Sequence, residues 1–141
     1  MSLSVSIIIP TYNSAAYLDN ALKSIQQQTL LDYEVIVVDA GSDDGTKDIC
    51  LSYDERFKFH ELINSKQGEA RNKGIDLAKG KYLLFLDSDD VFADEGILKK
   101  IISYSAITDA DFYNFSVSFL ENGHELKCIK VPNYTLVCRN K

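Results

Sequence analysis

The sequence has no tryptophan, two prolines and three cysteines in 141 residues. Cys50, Cys128 and Cys138 are an odd set without C-x-x-C spacing, so neither a disulfide framework nor a structural zinc site is expected. No apolar run approaches the roughly 20 residues that cross a bilayer. The short run 5–9 follows no basic segment, which argues against a signal peptide. These absences predict a cytoplasmic protein without a membrane span in this chain.

Acidic residues outnumber basic ones, with 21 Asp and Glu against 15 Lys and Arg, which gives a net charge of −6. Nucleic-acid-binding proteins usually carry a basic face, so the composition argues against a nucleic-acid partner. It does not exclude a phosphorylated ligand, since a divalent cation can neutralise both a diphosphate and an acidic protein surface. His60 and His124 stand apart from other ligand-type residues and are not expected to bind metal. The oligomeric state stays open.

Apolar runs alternate with helical patterns along the first ninety residues, which predicts a single α/β domain with a mostly parallel sheet and helices on both faces. Strands are predicted over residues 5–9, 34–39, 57–62 and 82–86, the first ending at Pro10. Ser14 is the expected N-cap of the first helix. Another helix is predicted over residues 67–79, with Gly80 as its C-cap glycine. A further helix should begin near Asp94.

The pattern changes after about residue 105. Residues 111–120 and 125–131 are predicted to form two strands joined at Asn122-Gly123, a dipeptide typical of hairpin turns. Polar clusters follow three of the earlier strands, and parallel strands present their carboxyl ends at one edge of a sheet. We therefore expect Thr11, Asp39 and Asp89 to meet in one cleft.

Asp87-Ser88-Asp89-Asp90 is the most informative motif. Its three carboxylates follow an apolar strand, and a hard cation such as Mg²⁺ or Mn²⁺ would relieve their mutual repulsion. The simpler interpretation is an acidic turn that caps the next helix. A calcium-binding EF-hand loop is excluded, because Val91 stands where an oxygen ligand is needed.

The other two strand-end clusters offer contacts for a nucleotide. Thr11 supplies a hydroxyl after Pro10, Tyr12 a ring that can stack on a base, and Asn13 a turn residue. Asp39 can accept hydrogen bonds from a base or a ribose, and Gly41 permits a close turn before Ser42. Asp43 or Asp44 could simply cap the following helix.

A third group opens the helix predicted at residue 67. Helix N-termini attract phosphate, so Lys66 and Gly68 are candidates for a phosphate contact. Arg71 could reach a diphosphate or pair with a carboxylate of the cleft. A solvated helix face is the simpler interpretation of this segment.

Taken together, these motifs resemble glycosyltransferase family 2, whose members have the GT-A fold. The resemblance covers roughly residues 4–105. It is carried by Ser6-Ile7-Ile8-Ile9-Pro10-Thr11-Tyr12-Asn13, by Val37-Val38-Asp39-Ala40-Gly41-Ser42-Asp43-Asp44-Gly45-Thr46, by Gly68-Glu69-Ala70-Arg71-Asn72-Lys73-Gly74-Ile75 and by residues 80–90.

The resemblance implies an inverting, metal-dependent transfer of sugar from a nucleotide-diphosphate sugar, most often a UDP-sugar, to an acceptor hydroxyl. Mn²⁺ or Mg²⁺ would be held by Asp89 with help from Asp87, and Asp87 and Ser88 match family positions that contact the ribose of the nucleotide or the metal shell. Thr11, Asp39 and Arg71 would lie on the nucleotide side. A saccharide or lipid-linked acceptor and a role in polysaccharide biosynthesis are typical of the family.

Two departures from the family pattern matter. Ala40 replaces a second aspartate that often reads uracil, so the base is open. A catalytic base normally lies well beyond the metal motif, and Asp109 and Asp111 stand too close to it. We expect residues 1–141 to be one GT-A domain, with residues 4–105 as its nucleotide-binding part and 106–141 as the start of an incomplete acceptor side. The base is expected beyond Lys141.

Two other functions remain open at this point. Asp87-x-Asp89 after an apolar strand also matches the nucleophile loop of haloacid-dehalogenase phosphatases, which need later parallel strands bearing a lysine and further acids. Alternatively, the chain is a nucleotide-sugar-binding module without catalysis.

Overall fold

The computed structural model describes residues 3–108 and the backbone of residues 117–121, 124–129 and 138–139. Within them the chain forms seven strands and four helices. In chain order these are β1 Val5–Thr11, α1 Ala15–Gln26, β2 Tyr33–Asp39, α2 Thr46–Leu51, β3 Phe57–Glu61, α3 Gln67–Leu77, β4 Tyr82–Phe85, α4 Ile97–Ile107, β5 Val117–Glu121, β6 His124–Ile129 and β7 Cys138–Arg139.

Five strands form one sheet in the order β3-β2-β1-β4-β7. The first four are parallel, and β7 pairs antiparallel with β4. The chain moves outward from β1 through β2 to β3 and then crosses to β4 on the other side of β1. The order therefore reverses between β1 and β4, where an open α/β sheet leaves a crevice beyond its strand ends. The predicted mostly parallel sheet flanked by helices is confirmed.

Alternate residues of the central strands face opposite sides of the sheet. Ile7, Val35 and their neighbours two residues along pack in the main core with apolar residues of α1, α2 and α4. On the other face, Ile36 and Val38 pack with Ala70 of α3. Helix α1 contributes its apolar face to the main core, because Leu18, Ala21, Leu22 and Ile25 are all fully buried.

The prediction that Pro10 ends the first strand is wrong, since β1 continues to Thr11 in register with β2. Along β1, Thr11 accepts from Ala40 of the β2 side, while Ile8 accepts from Leu86 of the β4 side. Backbone groups alternate between the two sides, so the missing N–H of Pro10 falls on the β4 side. The ladder with β4 ends at Ile8, so the proline removes no hydrogen bond there.

The predicted C-cap role of Gly80 is also wrong. Helix α3 ends at Leu77, two residues earlier than expected, with Ala78 as C-cap in an extended conformation. Gly80 is needed for a different reason: a Cβ on it would lie 2.5 Å from the backbone nitrogen of Ser6. Its own N–H donates to Ser6 Oγ, so the chain entering β4 lies directly against β1.

The later elements agree in kind with the sequence predictions. Helix α4 begins at Ile97, and Asp94 accepts a hydrogen bond from Gly96 just before it. β5 and β6 pair antiparallel as a separate two-stranded sheet. The predicted turn at Asn122-Gly123, together with Asp109 and Asp111, lies outside the described residues. No helix in the described ranges has the length and apolar character needed to cross a membrane.

Candidate functional site

A cavity of about 730 Å³ opens at the carboxyl ends of β1 and β4, where the strand order reverses. Half of its lining consists of residues that the sequence motifs predicted. These are Pro10, Thr11, Tyr12, Asn13, Asp87, Ser88 and Asp89. The first and third strand-end clusters therefore meet at one site, as expected.

Seven further residues of the lining were not predicted as site residues: Ser14, Tyr17, Ala40, Asn64, Ser65, Gln67 and Ala70. Ser14 and Ala70 were interpreted only as helix-cap and core residues. Asn64 has a positive φ of 60°, a conformation that asparagine tolerates better than most residues. The Ser65 hydroxyl is buried and has no hydrogen-bond partner in the described part of the chain. The segment before α3 thus forms one wall of the cavity.

Asp39 is buried next to Thr11 and does not line the cavity. Its side chain is 2% exposed. One oxygen accepts from Thr11 Oγ1 at 2.8 Å and from Ser42 Oγ at 2.5 Å, and the other accepts from the backbone of Gly41 and Ser42. Four donors fill the capacity of a carboxylate. A direct contact from Asp39 to a nucleotide stays a prediction, and it would require exchange of one of these bonds.

The loops after β1 and β2 are locked to each other. The backbone N–H of Asn13 donates to Ser42 Oγ at 2.8 Å, and the Asn13 side chain accepts from the backbone of Asp43 at 3.1 Å. Gly41 and Asn13 both have positive φ, which these turns require. Ser42 and Gly41 therefore shape the wall that carries Thr11 and Tyr12 without lining the cavity themselves.

Asp44 connects the two helices that follow these loops. It accepts hydrogen bonds from the first residue of α1, Ala15, and from the first residue of α2, Thr46. These bonds lower the pKa of its carboxyl, the hydrogen bond from the Thr46 hydroxyl being the largest cause. The N-cap residue of α2 is Gly45, so Asp44 stands one residue before the cap, and its side chain holds the first residues of both helices.

Arg71 joins α3 to the acidic motif. Its guanidinium donates to Asp87 Oδ1 at 2.6 Å, and both side chains are partly exposed. Of the two pairings that the sequence left open for Arg71, the one with a cleft carboxylate is therefore present. Arg71 does not line the cavity itself but fixes a residue that does.

Two carboxylates of the motif, Asp89 and Asp90, have no hydrogen bond or ion pair within the described ranges. Of the two, Asp89 lines the cavity, and its side chain is exposed. The pKa of neighbouring Asp90 is raised by desolvation and then by the charges of Asp89 and Asp87. Crowded carboxylates of this kind fit a hard cation that neutralises them.

The described residues do not form a complete cage for a metal. No group of three or more His, Cys, Asp or Glu side chains among them is arranged to hold one. This fits Mg²⁺ or Mn²⁺ bound by one or two carboxylates, because such ions commonly complete their shell with phosphate oxygens and water. The donor set suits a cation that arrives with a diphosphate.

The N-terminus of α3 lies beside the same cavity through Gln67. Lys66 is its N-cap, and the backbone N–H of Lys66 donates to Glu69 Oε2 at 2.6 Å. Lys66 and Gly68 are exposed and lie outside the cavity lining. Their predicted phosphate contacts stay predictions.

Two tyrosines stand at the rim of the cavity. Tyr12 is 66% exposed and Tyr17 is 58% exposed, although both are large apolar side chains. Exposed aromatic rings at a cavity give flat surfaces on which a planar or apolar ligand face can stack. The prediction that Tyr12 is available for stacking is consistent with this position.

Comparison with known proteins gives the family. The model described as glycosyl transferase family 2 matches residues 6–130. Glycosyltransferase GlyG of Streptococcus pneumoniae is 33% identical over 127 residues, which is 84% of this chain and 42% of that protein. S. aureus TarS 1-349, solved in complex with UDP-GlcNAc, superposes with a TM-score of 0.74 and 26% identity, over 98% of this chain and 46% of that one.

A more distant structure shows the same fold. The Pyrobaculum calidifontis mannosyltransferase PcManGT, solved with GDP-Man and Mn²⁺, has a TM-score of 0.66 and 22% identity, over 86% of this chain and 36% of that one. The chain spans 17–42% of the length of the curated relatives it matches. The strand that follows on the outer edge of β4 is antiparallel, unlike the parallel strands that the phosphatase alternative needs. The GT-A-like sheet, the four sequence motifs and the match over residues 6–130 place this chain in glycosyltransferase family 2.

Proposed function

We propose that this chain forms the donor-binding part of a metal-dependent glycosyltransferase that uses a nucleotide-diphosphate sugar and inverts the anomeric centre. The observation that carries this proposal is the convergence at one cavity of an aromatic side chain, Tyr12, with a carboxylate, Asp89, that has no partner among the described residues. The ring of Tyr12 can stack on the base of a nucleotide, and the carboxylate of Asp89 can bind a cation that carries the diphosphate.

The acidic end of the cavity is proposed to bind Mn²⁺ or Mg²⁺ together with the diphosphate. Asp89 is the principal ligand, because its carboxylate is exposed and unpaired in the described part of the chain. Asp87 is held by Arg71 through one oxygen and keeps the other for the cation or its water shell. When bound, the cation would stabilise the negative charge of the departing diphosphate.

The part of the cavity lined by Tyr12 is proposed to take the nucleoside. Tyr12 stacks on the base, while Thr11 and Pro10 form the floor beside it. Asn13, Gly41 and Ser42 support this wall through their interlocked loops. Lys66 and Gly68, at the start of α3, are the candidates for an additional phosphate contact.

We propose UDP as the nucleotide. Support comes from S. aureus TarS, which was solved with UDP-GlcNAc and superposes on nearly the whole chain. Ala40 lines the cavity and offers no side-chain hydrogen bond to a base, so discrimination between bases falls to neighbouring groups. The sugar is not specified by any residue described.

The acceptor is proposed to be a saccharide or lipid-linked hydroxyl compound. No residue of this chain is assigned as the base that deprotonates the acceptor. Because the chain spans less than half of its relatives, a module that binds donor without turnover is the second candidate. Cytoplasmic location and the division of the chain near residue 105 stay predictions.

Thermal unfolding and calorimetry with UDP, GDP, CDP and ADP, each with Mn²⁺, Mg²⁺ or EDTA, test the proposal. A ligand that binds the folded state raises its apparent stability. We expect UDP to raise the melting temperature with a divalent cation and to have little effect in EDTA. Equal stabilisation by UDP in EDTA would contradict the metal-dependent site.

Asp89→Ala identifies the ligand of the cation. The substitution should lower the affinity for UDP in Mn²⁺ at least about 10-fold and leave the fold intact. Asp76→Ala is the matched control, because Asp76 is an exposed carboxylate on α3 outside the cavity lining. Unchanged affinity in the Asp89 variant would refute its assignment. Donor hydrolysis or transfer by this chain would separate an active enzyme from a binding module.

A further inference from the structure

The segment between β4 and α4 carries the acidic motif but has little regular structure. β4 ends at Phe85, and α4 begins at Ile97. Within the segment itself, the backbone of Asp90 donates to Asp87, and that of Gly96 donates to the Asp94 side chain. Two such local bonds do not fix a stretch of this length, so its position depends on what it contacts elsewhere.

Gln28 provides the most complete of these contacts. It lies just after α1 and is 3% exposed. Its Nε2 donates to the carbonyl of Asp94 at 2.7 Å and to that of Ser24 at 3.1 Å. Its Oε1 accepts from the backbone N–H of Leu98 at 3.0 Å. All the polar groups of the amide are thus engaged, and two of its three partners lie across residues 94–98.

Neighbouring residues make parallel contacts. Ser24 Oγ accepts from the backbone of Phe92 at 3.1 Å. The backbone N–H and the hydroxyl of Thr29 both donate to the carbonyl of Glu95. The end of α1 therefore holds residues 92–98 at four successive points.

The start of α1 holds the other end of the segment. Ser14, its N-cap residue, makes a hydroxyl–hydroxyl hydrogen bond of 2.9 Å to Ser88. Ser88 lies between the two carboxylates that we propose for the cation. One rigid helix thus spans the acidic segment from Ser88 to Leu98.

We infer that Gln28 is a positioning residue for donor binding: by clamping residues 94–98 to the end of α1, it keeps the Asp87–Asp89 turn in place for the cation and diphosphate. The inference rests on the proposed function. Gln28 does not line the cavity, so its effect reaches the ligand only through the segment it holds. A binding constellation must be held within about 0.5 Å by supporting residues of this kind.

The sequence offers a matched comparison for Gln28. Gln26 lies two residues earlier at the end of the same helix, is exposed, and has no side-chain hydrogen bond in the described ranges. Gln28→Met removes the three hydrogen bonds at nearly constant volume, and Gln26→Met makes the same chemical change on the surface. Ser24→Ala is a milder second variant that removes the bond to Phe92, should Gln28→Met fail to fold.

Hydrogen exchange followed by NMR measures how firmly the segment between β4 and α4 is held. The amides of Asp90 and Phe92 are informative, because Gln28→Met leaves the acceptors of both in place. We expect both to exchange faster in Gln28→Met while amides of β2 keep their rates, and neither to change in Gln26→Met. Ser24→Ala removes the acceptor of the Phe92 amide, so in that variant only the exchange rate of Asp90 is informative. A loss of general stability would instead speed exchange in β2 by the same factor.

Calorimetry reads the consequence for the ligand. For Gln28→Met we expect affinity for UDP in Mn²⁺ to fall on the order of 10-fold, the usual scale for supporting residues of a metal site. Affinity for uridine, which lacks the diphosphate, should stay within about twofold of wild type. The split between UDP and uridine separates positioning from a merely structural role, which would change neither affinity below the melting temperature.

The outcomes are distinguishable. If Gln28→Met and Ser24→Ala bind UDP and Mn²⁺ as wild type does, or if Asp90 exchanges no faster, the inference is overturned. If the wild-type chain shows no Mn²⁺-dependent binding of UDP, the proposed function is wrong and the cation part of the inference falls with it. The exchange of Asp90 then still decides whether Gln28 holds the segment.

Discussion

Arg71 and Asp87 form an ion pair of 2.6 Å that joins helix α3 to the turn after β4. The two residues belong to separate motifs of the sequence. Helix α3 packs on β1 and β2, whereas Asp87 follows β4, so the pair crosses the point where the strand order reverses. The pair therefore ties the two halves of the sheet together at the cavity. Its side chains are 33% and 43% exposed, so its contribution to stability is expected to be small.

Arg71→Ala should consequently affect binding more than folding. We expect the free energy of unfolding to change by no more than about 1 kcal/mol, because the pair is partly exposed. The affinity for UDP in Mn²⁺ should fall about 10-fold, since Asp87 loses the group that orients it. Calorimetry and urea denaturation measure the two effects. Lys73→Ala, an exposed cation on the same helix, is the control, and equal losses of affinity in both variants would contradict the specific role of Arg71.

The buried carboxylate of Glu34 should stabilise the fold in a pH-dependent way. Burial raises the pKa of its carboxyl, but hydrogen bonds from Lys58, from Ser6 and from the backbone of Lys79 lower it more, so the folded-state pKa lies below 4.5. Its stabilising contribution is thus fully present above pH 4.5 and is lost as the pH falls through the folded-state pKa. Glu34→Gln should cost about 1–2 kcal/mol at pH 7 and progressively less below pH 4.5.

Urea denaturation of wild type and Glu34→Gln from pH 7 to pH 3 measures this difference. Glu69→Gln is a suitable comparison, because Glu69 is exposed and accepts a single described bond at the start of α3. If the difference in free energy of unfolding between wild type and Glu34→Gln is constant across the pH range, the charge of Glu34 plays no part in stability.

Gly80→Ala should destabilise the fold. The added methyl would overlap the backbone of β1 at Val5 and Ser6, which cannot move without disturbing the centre of the sheet. We expect a loss of about 1–3 kcal/mol, the usual cost of overpacking. Gly68→Ala is the control, because nothing lies within 4 Å of the new methyl. That variant should stay within about 1 kcal/mol of wild type, on the stabilising side, since alanine favours helix. Thermal denaturation compares the two.

Cys50 should be chemically inert in the folded protein. It is fully buried in the main core, and burial raises the pKa of its thiol to about 11. The thiolate is the reactive form, so almost none is present at pH 8. In a Cys128→Ser, Cys138→Ser background we expect no labelling by a thiol reagent until urea unfolds the chain. Labelling of Cys50 in the native state at the rate of a free thiol would contradict this position.

The sheet was largely predictable because its strands carry a strong local signal. Val35-Ile36-Val37-Val38 and the run from Leu83 to Leu86 are apolar on both faces, as buried parallel strands are, and the structure pairs both with β1 or its neighbours. Helix α1 also carries a regular apolar face, which packs in the main core. In these elements the chemistry of a few adjacent residues decides the outcome.

The errors arose where remote segments decide the conformation. Gly80 was interpreted from its place after a helix, but its true constraint is β1, which is 74 residues away. Pro10 was expected to stop a strand. A proline does so only where its missing N–H would have been bonded, and the ladder of β1 with β4 already ends at Ile8. The four donors to Asp39 could not be foreseen, because they require the exact path of the following loop.

Gln28 illustrates the same limit within the candidate site. It is the last of three consecutive glutamines, and nothing in that run distinguishes the buried one from its exposed neighbours. Only the packing of residues 94–98 against α1 gives it partners. Half of the residues that line the cavity could be predicted from motifs, whereas Gln28, which supports them from outside the cavity, could not.

The order of strands in the sheet has a consequence for how the chain folds during synthesis. β1 is central, yet its partner β4 is made only after β2, β3 and the three intervening helices. Until then one side of β1 has an unpaired row of backbone groups. Closing so long a loop makes parallel pairing slow compared with local helix formation. Assembly of the sheet, and with it the cavity between β1 and β4, therefore waits for residues 82–85 to leave the ribosome.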